Sequence, residues 1–537
     1  MYFTLAVSAT TPAGCAALAD RARIADPAVL PVPGPPVVVW RAEDGRAALL
    51  RWGGSPGDET VLGGVATSHA GTIWAGNPTP GSGRAPVYAR TSVTRVDPVY
   101  VARVPDGVII GDRATWAAWT AGRLDDHDPR HLCALLNPGF PLGSVTPFRG
   151  VSAVAPSTTL HVLSGTLTST ANPSGAAGSP GASRAPVAPG TPGARDVAAA
   201  LVQAVAPLLA AGQPVELSLT GGKDSRLVAA ALAVAGVPVH TRTHGFDGDP
   251  DVVLAAQIAA RLGIEHTVTA PAAPGQQTDV LGRLRATVLV ADGMLSAFEN
   301  VGRPDPAPSA AVTAGGHGGE LLRGGYAEAA AGRRATPLRA GELLRRLTTR
   351  HLGLLRRGAA AGYLASLTPW TTALARGPMQ ALDDFYLVNR AGRWSAAARQ
   401  AYLIRESLVQ PLFDEQVVLA ARAIPLADRV SGALSRAVLA ELCPALADVP
   451  LAGKGAHASF DWRRQYGDTI ASFLRDYALD NGTSGGLFDV VSRPAAEKLL
   501  TPPQADRATV WALATLACLV SGDYRNAREQ SPLLSVA

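Results

Sequence analysis

The stretch VELSLTGGKDSR, residues 215–226, decides how the rest of the chain is read. Val215, Leu217 and Leu219 alternate as in a strand, the chain turns through Thr220-Gly221-Gly222-Lys223-Asp224-Ser225, and an alanine-rich helical pattern follows at 227–235. A strand that turns through two glycines into a helix N-terminus is an anion site, because free backbone N–H groups and the positive end of the helix dipole point at one place. The glycines let the main chain approach a phosphate, and Thr220 and Ser225 add hydroxyl groups. Asp224 has no place in a site for an anion alone, but it is explained if a metal ion arrives with the phosphate. A tight glycine-rich turn is the plainer alternative, and a lone Thr-Gly-Gly would be read that way.

Downstream of the loop, strand patterns at 237–244 and 265–269 flank a helical pattern at 251–262, as in an α/β domain. A further apolar run, 310–313, enters Ala314-Gly315-Gly316-His317-Gly318-Gly319-Glu320-Leu321-Leu322-Arg323-Gly324-Gly325-Tyr326. A second strand ending in a glycine turn with a carboxylate predicts a second lip to the same cleft, since open parallel sheets bind ligands at the carboxyl ends of their strands. From about 338 the pattern is mostly helical, at 382–389, 396–407, 415–423, 435–442 and 508–519, interrupted by Gly453-Lys454-Gly455. Only three of the 48 basic residues are lysines, Lys223, Lys454 and Lys498. Two of these stand in glycine-flanked motifs, where a compact ammonium differs in kind from a planar guanidinium.

Upstream, residues 1–163 read as strands separated by Gly/Pro turns with helical patterns at 115–124 and 129–136, an α+β sandwich. His127 and His131 are four residues apart with Pro129 between them and no third ligand, so both are expected as solvent-exposed loop residues. Residues 164–195 carry almost no bulky side chain and read as a flexible linker, with Asp196 the N-cap of a helix at 197–211. The formal charge of +5 is spread over 537 residues with no basic block, which argues against nucleic-acid binding. Cys15, Cys133, Cys443 and Cys518 lie too far apart for a disulfide framework or a zinc site. With neither a signal-peptide pattern nor an apolar run of about 18 residues, the expectation is a cytoplasmic protein with no membrane span.

Together these segments resemble the asparagine-synthetase-like ATP pyrophosphatases. Thr220–Ser225 looks like the family's SGGxDS loop, 315–326 like its SGEGSDELFGGY segment, Gln410-Pro411-Leu412-Phe413-Asp414 like its PFLD stretch, and Gly453-Lys454-Gly455 like its late lysine segment. Asp112-Arg113 and Thr146-Pro147-Phe148-Arg149-Gly150-Val151 look like the end of the family's glutaminase-type domain. The resemblance implies an N-terminal glutaminase-like (Ntn-type) β-sandwich over 1–163 and a linker over 164–195. The C-terminal part, 196–537, would then be a parallel α/β synthetase domain of the adenine-nucleotide α-hydrolase kind with a helical extension. Glutamine-dependent members need Cys at position 2; this chain has Tyr2, and a phenol cannot replace a thiolate in forming an acyl intermediate. The first domain is therefore expected to be degenerate, without glutaminase activity.

Members lacking that nucleophile include β-lactam synthetases and lasso-peptide cyclases, which activate a carboxylate with ATP for attack by an amine of the same molecule. Glu in place of Asp at 320 and the His-Gly-Gly-Glu form of the second motif look most like the lasso cyclases. The implied reaction adenylates an Asp or Glu side chain of a core peptide and joins it to the peptide N-terminus, releasing AMP and pyrophosphate. A β-lactam-type small-molecule synthetase and an ammonia-dependent asparagine synthetase are the alternatives. The implied roles are ATP binding by Leu219, Thr220, Gly221, Gly222, Lys223, Asp224, Ser225, Thr243 and Gly316, and Mg²⁺ binding by Asp224 and Glu320. Lys454, His317 and Glu320 are the implied catalytic residues. Lys223 either touches the triphosphate or faces solvent, and His317 either accepts a proton or packs in its turn. Asp292 and Asp414 are expected to brace the cleft. The expected partners are the core peptide and leader-binding and leader-peptidase proteins, with no nucleic acid and no membrane.

Overall fold

The computed structural model describes residues 3–25, 36–52, 72–76, 84–172, 193–270, 277–299, 301, 311–331, 337–404, 407–452, 468–500, 506–527 and 534–535. Tyr2, Lys454 with its flanking glycines, and residues 173–192 of the expected linker lie outside the described residues. Ten strands form the first region: β1 (Phe3–Ala9), β2 (Val37–Arg41), β3 (Ala47–Trp52), β4 (Thr72–Ala75), β5 (Val87–Arg90), β6 (Tyr100–Val104), β7 (Gly107–Gly111), β8 (Val151–Ala153), β9 (Thr158–Leu163) and β10 (Thr166–Ala171). They pair antiparallel as a six-stranded sheet, β2-β3-β1-β7-β6-β8, and a four-stranded sheet, β10-β9-β5-β4.

Every residue of β1 is buried, because the larger sheet is covered on both faces. Successive side chains alternate, so Phe3, Leu5 and Val7 face the helical core while Ala6 faces the smaller sheet beside Leu49, Val87, Ile110 and Leu160. Strand β10 lies inside the segment expected to be linker. Its sequence, TLTSTA, carries one large apolar residue, so composition hides an exposed edge strand that pairs with β9 along its whole length. The expected N-cap also moves: Gly193 opens the helix Ala194–Ala211, and the Asp196 carboxylate reaches back to accept from Gly193 N at 2.7 Å.

The two histidines expected in loops are placed differently. Pro129 occupies the first turn of the helix Pro129–Leu136, where its missing N–H costs no bond, and Asp128 caps that turn. His131 is thereby carried into the core at 0% exposure, its Nε2 2.9 Å from the carbonyl of Gly293. His127 is half-buried and bridges to Phe148.

The second region is a parallel sheet of β11 (Val215–Ser218), β12 (Val239–His244), β13 (Glu265–Thr269), β15 (Val312–Ala314) and β16 (Ser407–Val409), in the order β13-β12-β11-β15-β16. A small antiparallel ribbon joins β14 (Gln277–Thr278) to β17 (Leu534–Ser535). Sequence periodicity merges β16 into a helix at 396–407; that helix ends at Leu403. The helical pattern at 382–389 straddles the helix Pro378–Phe385 and a π-helical segment, Tyr386–Ser395.

The helix Ala194–Ala211 is long and apolar enough, by length and mean hydropathy alone, to cross a bilayer, although Arg195, Asp196 and Gln203 interrupt its apolar residues. Its Val197, Leu201, Val205 and Leu208 are buried in the core shared with β11 and the helices Glu415–Ala423 and Ala433–Leu442. One continuous apolar cluster joins the larger antiparallel sheet to the helices Val280–Val290 and Arg507–Ser521. Buried Arg113 stitches the same junction, pairing with Asp292 at 2.5 Å and donating to the carbonyls of Val290 and Leu289.

Candidate functional site

The chain leaves β11 toward β12 and β13 on one side and returns on the other with β15 and β16. The crevice between the ends of β11 and β15 is therefore the switch point of the sheet, where neighbouring loops diverge and leave room for a ligand. Both glycine turns start there. They enclose a cleft of about 510 Å³ lined by Thr220, Gly222, Lys223, Asp224 and Ser225 from the first turn and Gly315, Gly316, His317 and Glu320 from the second. Tyr402, Leu408 and Gln410 close the far wall. The turns touch: a Cβ on Gly316 would stand 2.5 Å from the amide nitrogen of Ser225, and one on Gly319 would collide with the Asp224 carboxylate.

Inside the first turn the polar groups are largely spent on the turn itself. Thr220 N donates to Ser225 Oγ at 3.1 Å, Gly222 N to Thr220 Oγ1 at 3.1 Å, and Gly221 N to the buried carboxylate of Asp251 at 2.9 Å. The two hydroxyls of Thr220 and Ser225 lie 3.0 Å apart. Thus the amides of Gly221 and Gly222 shape the loop rather than stand open to a phosphate. What remains open is the next turn: the helix Lys223–Val234 has no side-chain cap, and among the described residues no acceptor meets the N–H groups of Lys223, Asp224 or Ser225. A helix of 12 residues presents its positive end there.

Leu219, Gly221 and Thr243, expected to contact nucleotide, stand behind the cleft rather than in its wall. Leu219 and Thr243 are buried, and the Thr243 hydroxyl donates to the Leu219 carbonyl at 2.6 Å, fixing β11 against β12. Asp414 caps the helix Glu415–Ala423, accepting from Gln416 N at 2.9 Å, so it braces an adjoining loop as Asp292 braces the junction with the first region.

Asp224 and Glu320 are brought together on opposing lips of the cleft. Burial raises the Asp224 pKa, the Arg323 guanidinium opposes the rise, and Glu320 and Glu328 add to it. Arg323 clasps both oxygens of Asp224 and donates through Nε to Glu328 at 3.0 Å. Burial works against its charge, but Asp224 and Glu328 outweigh that and hold its pKa above the ordinary value. Lys223 Nζ stands 3.7 Å from Glu328. His317 is exposed at the cleft mouth, yet crowding lowers its pKa against the pull of Glu320 and Asp224, leaving a neutral imidazole at pH 7. Burial pushes the Tyr386 phenol well above its usual range, with Glu320 adding to the push.

Among the described residues no group of three or more His, Cys, Asp or Glu side chains gathers to hold a metal ion. Two carboxylates are nevertheless the protein share of a magnesium site completed by phosphate oxygens and water. Asp224 and Glu320 fit that share, provided Arg323 releases an oxygen of Asp224. Arg323 and Asp251 escaped the sequence reading. Both act through partners distant in sequence, Asp224 and Gly221, so no local pattern marks them.

The second turn is held from behind by buried charge. Asp383, fully buried, pairs with Arg422 at 2.9 Å and Arg429 at 2.5 Å, and Arg429 donates to the carbonyl of Leu321 at 3.1 Å. Residues 196–403 match the family model described as asparagine synthase, a span that holds both glycine turns and ends before β16. That family comprises ATP-using, amide-forming ligases. No curated protein matches the chain.

Proposed function

We propose that this protein is an ATP-dependent macrolactam synthetase of the lasso-peptide cyclase kind, which adenylates an Asp or Glu side chain of a core peptide and closes it onto the peptide's N-terminal amine. The observation that carries the adenylation reading is the contact of two glycine turns across the sheet's switch point, with Asp224 and Glu320 in one cleft. The His317-Gly-Gly-Glu320 form of the second turn supports the cyclase subtype.

A carboxylate does not condense with an amine at neutral pH because oxide is a very poor leaving group. Attack of the substrate carboxylate on the α-phosphate of ATP expels pyrophosphate and leaves an acyl-adenylate, from which the amine then displaces AMP. The N–H groups at the start of the helix Lys223–Val234 would bind the departing pyrophosphate, a role that their uncapped state supports. Asp224 and Glu320 would hold Mg²⁺, which neutralises the triphosphate. Lys454 is assigned the late catalytic role of stabilising charge as a point cation. An α-amino group has a pKa of about 8, so a useful neutral fraction exists at pH 7 and a weak base suffices. His317, neutral and at the cleft mouth, can accept the proton lost as the amide forms.

Incubation with ATP, Mg²⁺ and short leader-free peptides carrying one Asp or Glu should release AMP and pyrophosphate. The product should be a peptide lighter by one water and resistant to linearising proteolysis. Release of ADP would sink the adenylation mechanism. Turnover of a small β-amino acid with no turnover of any peptide would move the assignment to a β-lactam-type synthetase.

A further inference from the structure

We propose that Arg323 is a resident cation that occupies the Asp224 carboxylate until nucleotide arrives, so that a divalent metal binds this site only together with a triphosphate. The inference rests on the reading of Asp224 and Glu320 as the metal-binding carboxylates. It does not depend on which bond of ATP is broken or which amine is joined.

Four features of the site carry it. Arg323 is 8% exposed and spends Nη1 and Nη2 on the two oxygens of Asp224. Its guanidinium fork matches the carboxylate, the strongest geometry such a pair adopts. Next, the Asp224 carboxylate packs against Gly319, where any Cβ would strike it, so the second turn closes directly over the Arg323–Asp224 pair. A metal ion arriving at Asp224 therefore meets a carboxylate whose two oxygens already serve Arg323.

Third, Arg323 has somewhere to stay. Its Nε is already on Glu328 at 3.0 Å, and Glu328 is steadied from the other side by Lys223 at 3.7 Å. Last, among the described residues the ion pairs made by Asp224 and Glu328 are with Arg323 and Lys223. A bare divalent ion must strip Arg323 from Asp224 and gains two carboxylates in return. An ion arriving on a triphosphate brings its own oxygen ligands, and its phosphates offer the displaced guanidinium a new anionic partner beside Glu328. Arg323 is thus a positioning residue acting through Asp224, and it makes metal and nucleotide binding mutually dependent.

Mn²⁺ binding to the full-length protein, followed by the electron paramagnetic resonance of the free ion, tests this without turnover. Wild type should bind Mn²⁺ weakly alone and about ten- to a hundredfold more tightly with a non-hydrolysable ATP analogue. Arg323→Met should bind Mn²⁺ alone about tenfold more tightly than wild type, the worth of a released charged hydrogen-bond pair. Glu328→Gln, which keeps the clasp on Asp224, should bind the bare ion no more tightly than wild type. Equal or weaker binding of bare Mn²⁺ by a folded Arg323→Met overturns the proposal. So does tight binding by wild type without nucleotide, a result that needs no variant to fold. Absence of Mn²⁺ binding even with the analogue overturns it together with the metal assignment. Failure to form AMP alongside the expected Mn²⁺ pattern would instead count against the adenylation reading alone.

Discussion

In the antiparallel region and along its junction, cationic side chains are used up on structure. Arg113 serves Asp292 and two carbonyls, and Arg95, 1% exposed, donates to the carbonyls of Val154, Val388 and Gly392. At the ends of β11 and β15 the arrangement is different. The N–H groups of Lys223, Asp224 and Ser225 lack acceptors among the described residues, two carboxylates face each other, and Glu320 is only half-buried. Charged groups paired inside a core hold a fold together; backbone N–H groups left without acceptors beside a cleft are available to a ligand. The contrast places the candidate site in the parallel region.

The largest effect that would test this contrast is at the brace behind the second turn. Asp383→Ala leaves Arg429 buried without its carboxylate, and Arg422 with Asp384 alone, and should cost about 3–5 kcal/mol in urea denaturation. A loss below about 1 kcal/mol, the level of an exposed pair, would mean the buried charges do not brace the turn. Asp224→Asn should show the opposite profile. Pyrophosphate release should fall about 10²–10³-fold, as for loss of one charge-stabilising group, with the unfolding midpoint unchanged. A variant that unfolds early but still turns over would make Asp224 a structural residue.

The smallest effects are pH dependences, and they have opposite signs. Burial pushes the Asp112 carboxyl up to about 7, against an ordinary value of 3.8, although it accepts a hydrogen bond from Thr4 N at 2.8 Å. Between these values the folded state holds the proton that the unfolded state has lost, so stability present below pH 4 is lost as pH rises toward 7. Burial pushes His131 down to about 3 from 6.5. There the unfolded state takes up the proton first, and stability present above 6.5 is lost as pH falls toward 3. Denaturation of wild type and Asp112→Asn from pH 4 to 8 should show wild type losing ground to the variant as pH rises. Parallel curves would show that Asp112 is not desolvated in the folded state.

Much of the site is a local matter and was legible in the chain. The alternation of Val215, Leu217 and Leu219, the paired glycines and the helical run after them specify a strand, a turn and a helix N-terminus through neighbouring residues alone. The same holds for the turn that carries His317 and Glu320. What could not be read is whatever depends on a partner far away. β10 looked like linker because pairing with β9, not its own composition, makes it a strand. His131 reads as exposed because a proline between two histidines suggests a loop, whereas Pro129 sits in a helix's first turn where the missing N–H is harmless. The glycine amides were expected to meet phosphate, but Asp251 and Thr220 claim them.

By itself the sequence determined that two glycine turns with carboxylates end two strands, because backbone freedom and hydrophobic alternation act over a few residues. Only the tertiary structure decided that β11 and β15 are neighbours, that Gly316 and Gly319 press against Ser225 and Asp224, and that Arg323 takes up the aspartate. Strand order and ion pairing are set by long-range packing, and side chains about a hundred residues apart meet only when the whole sheet closes.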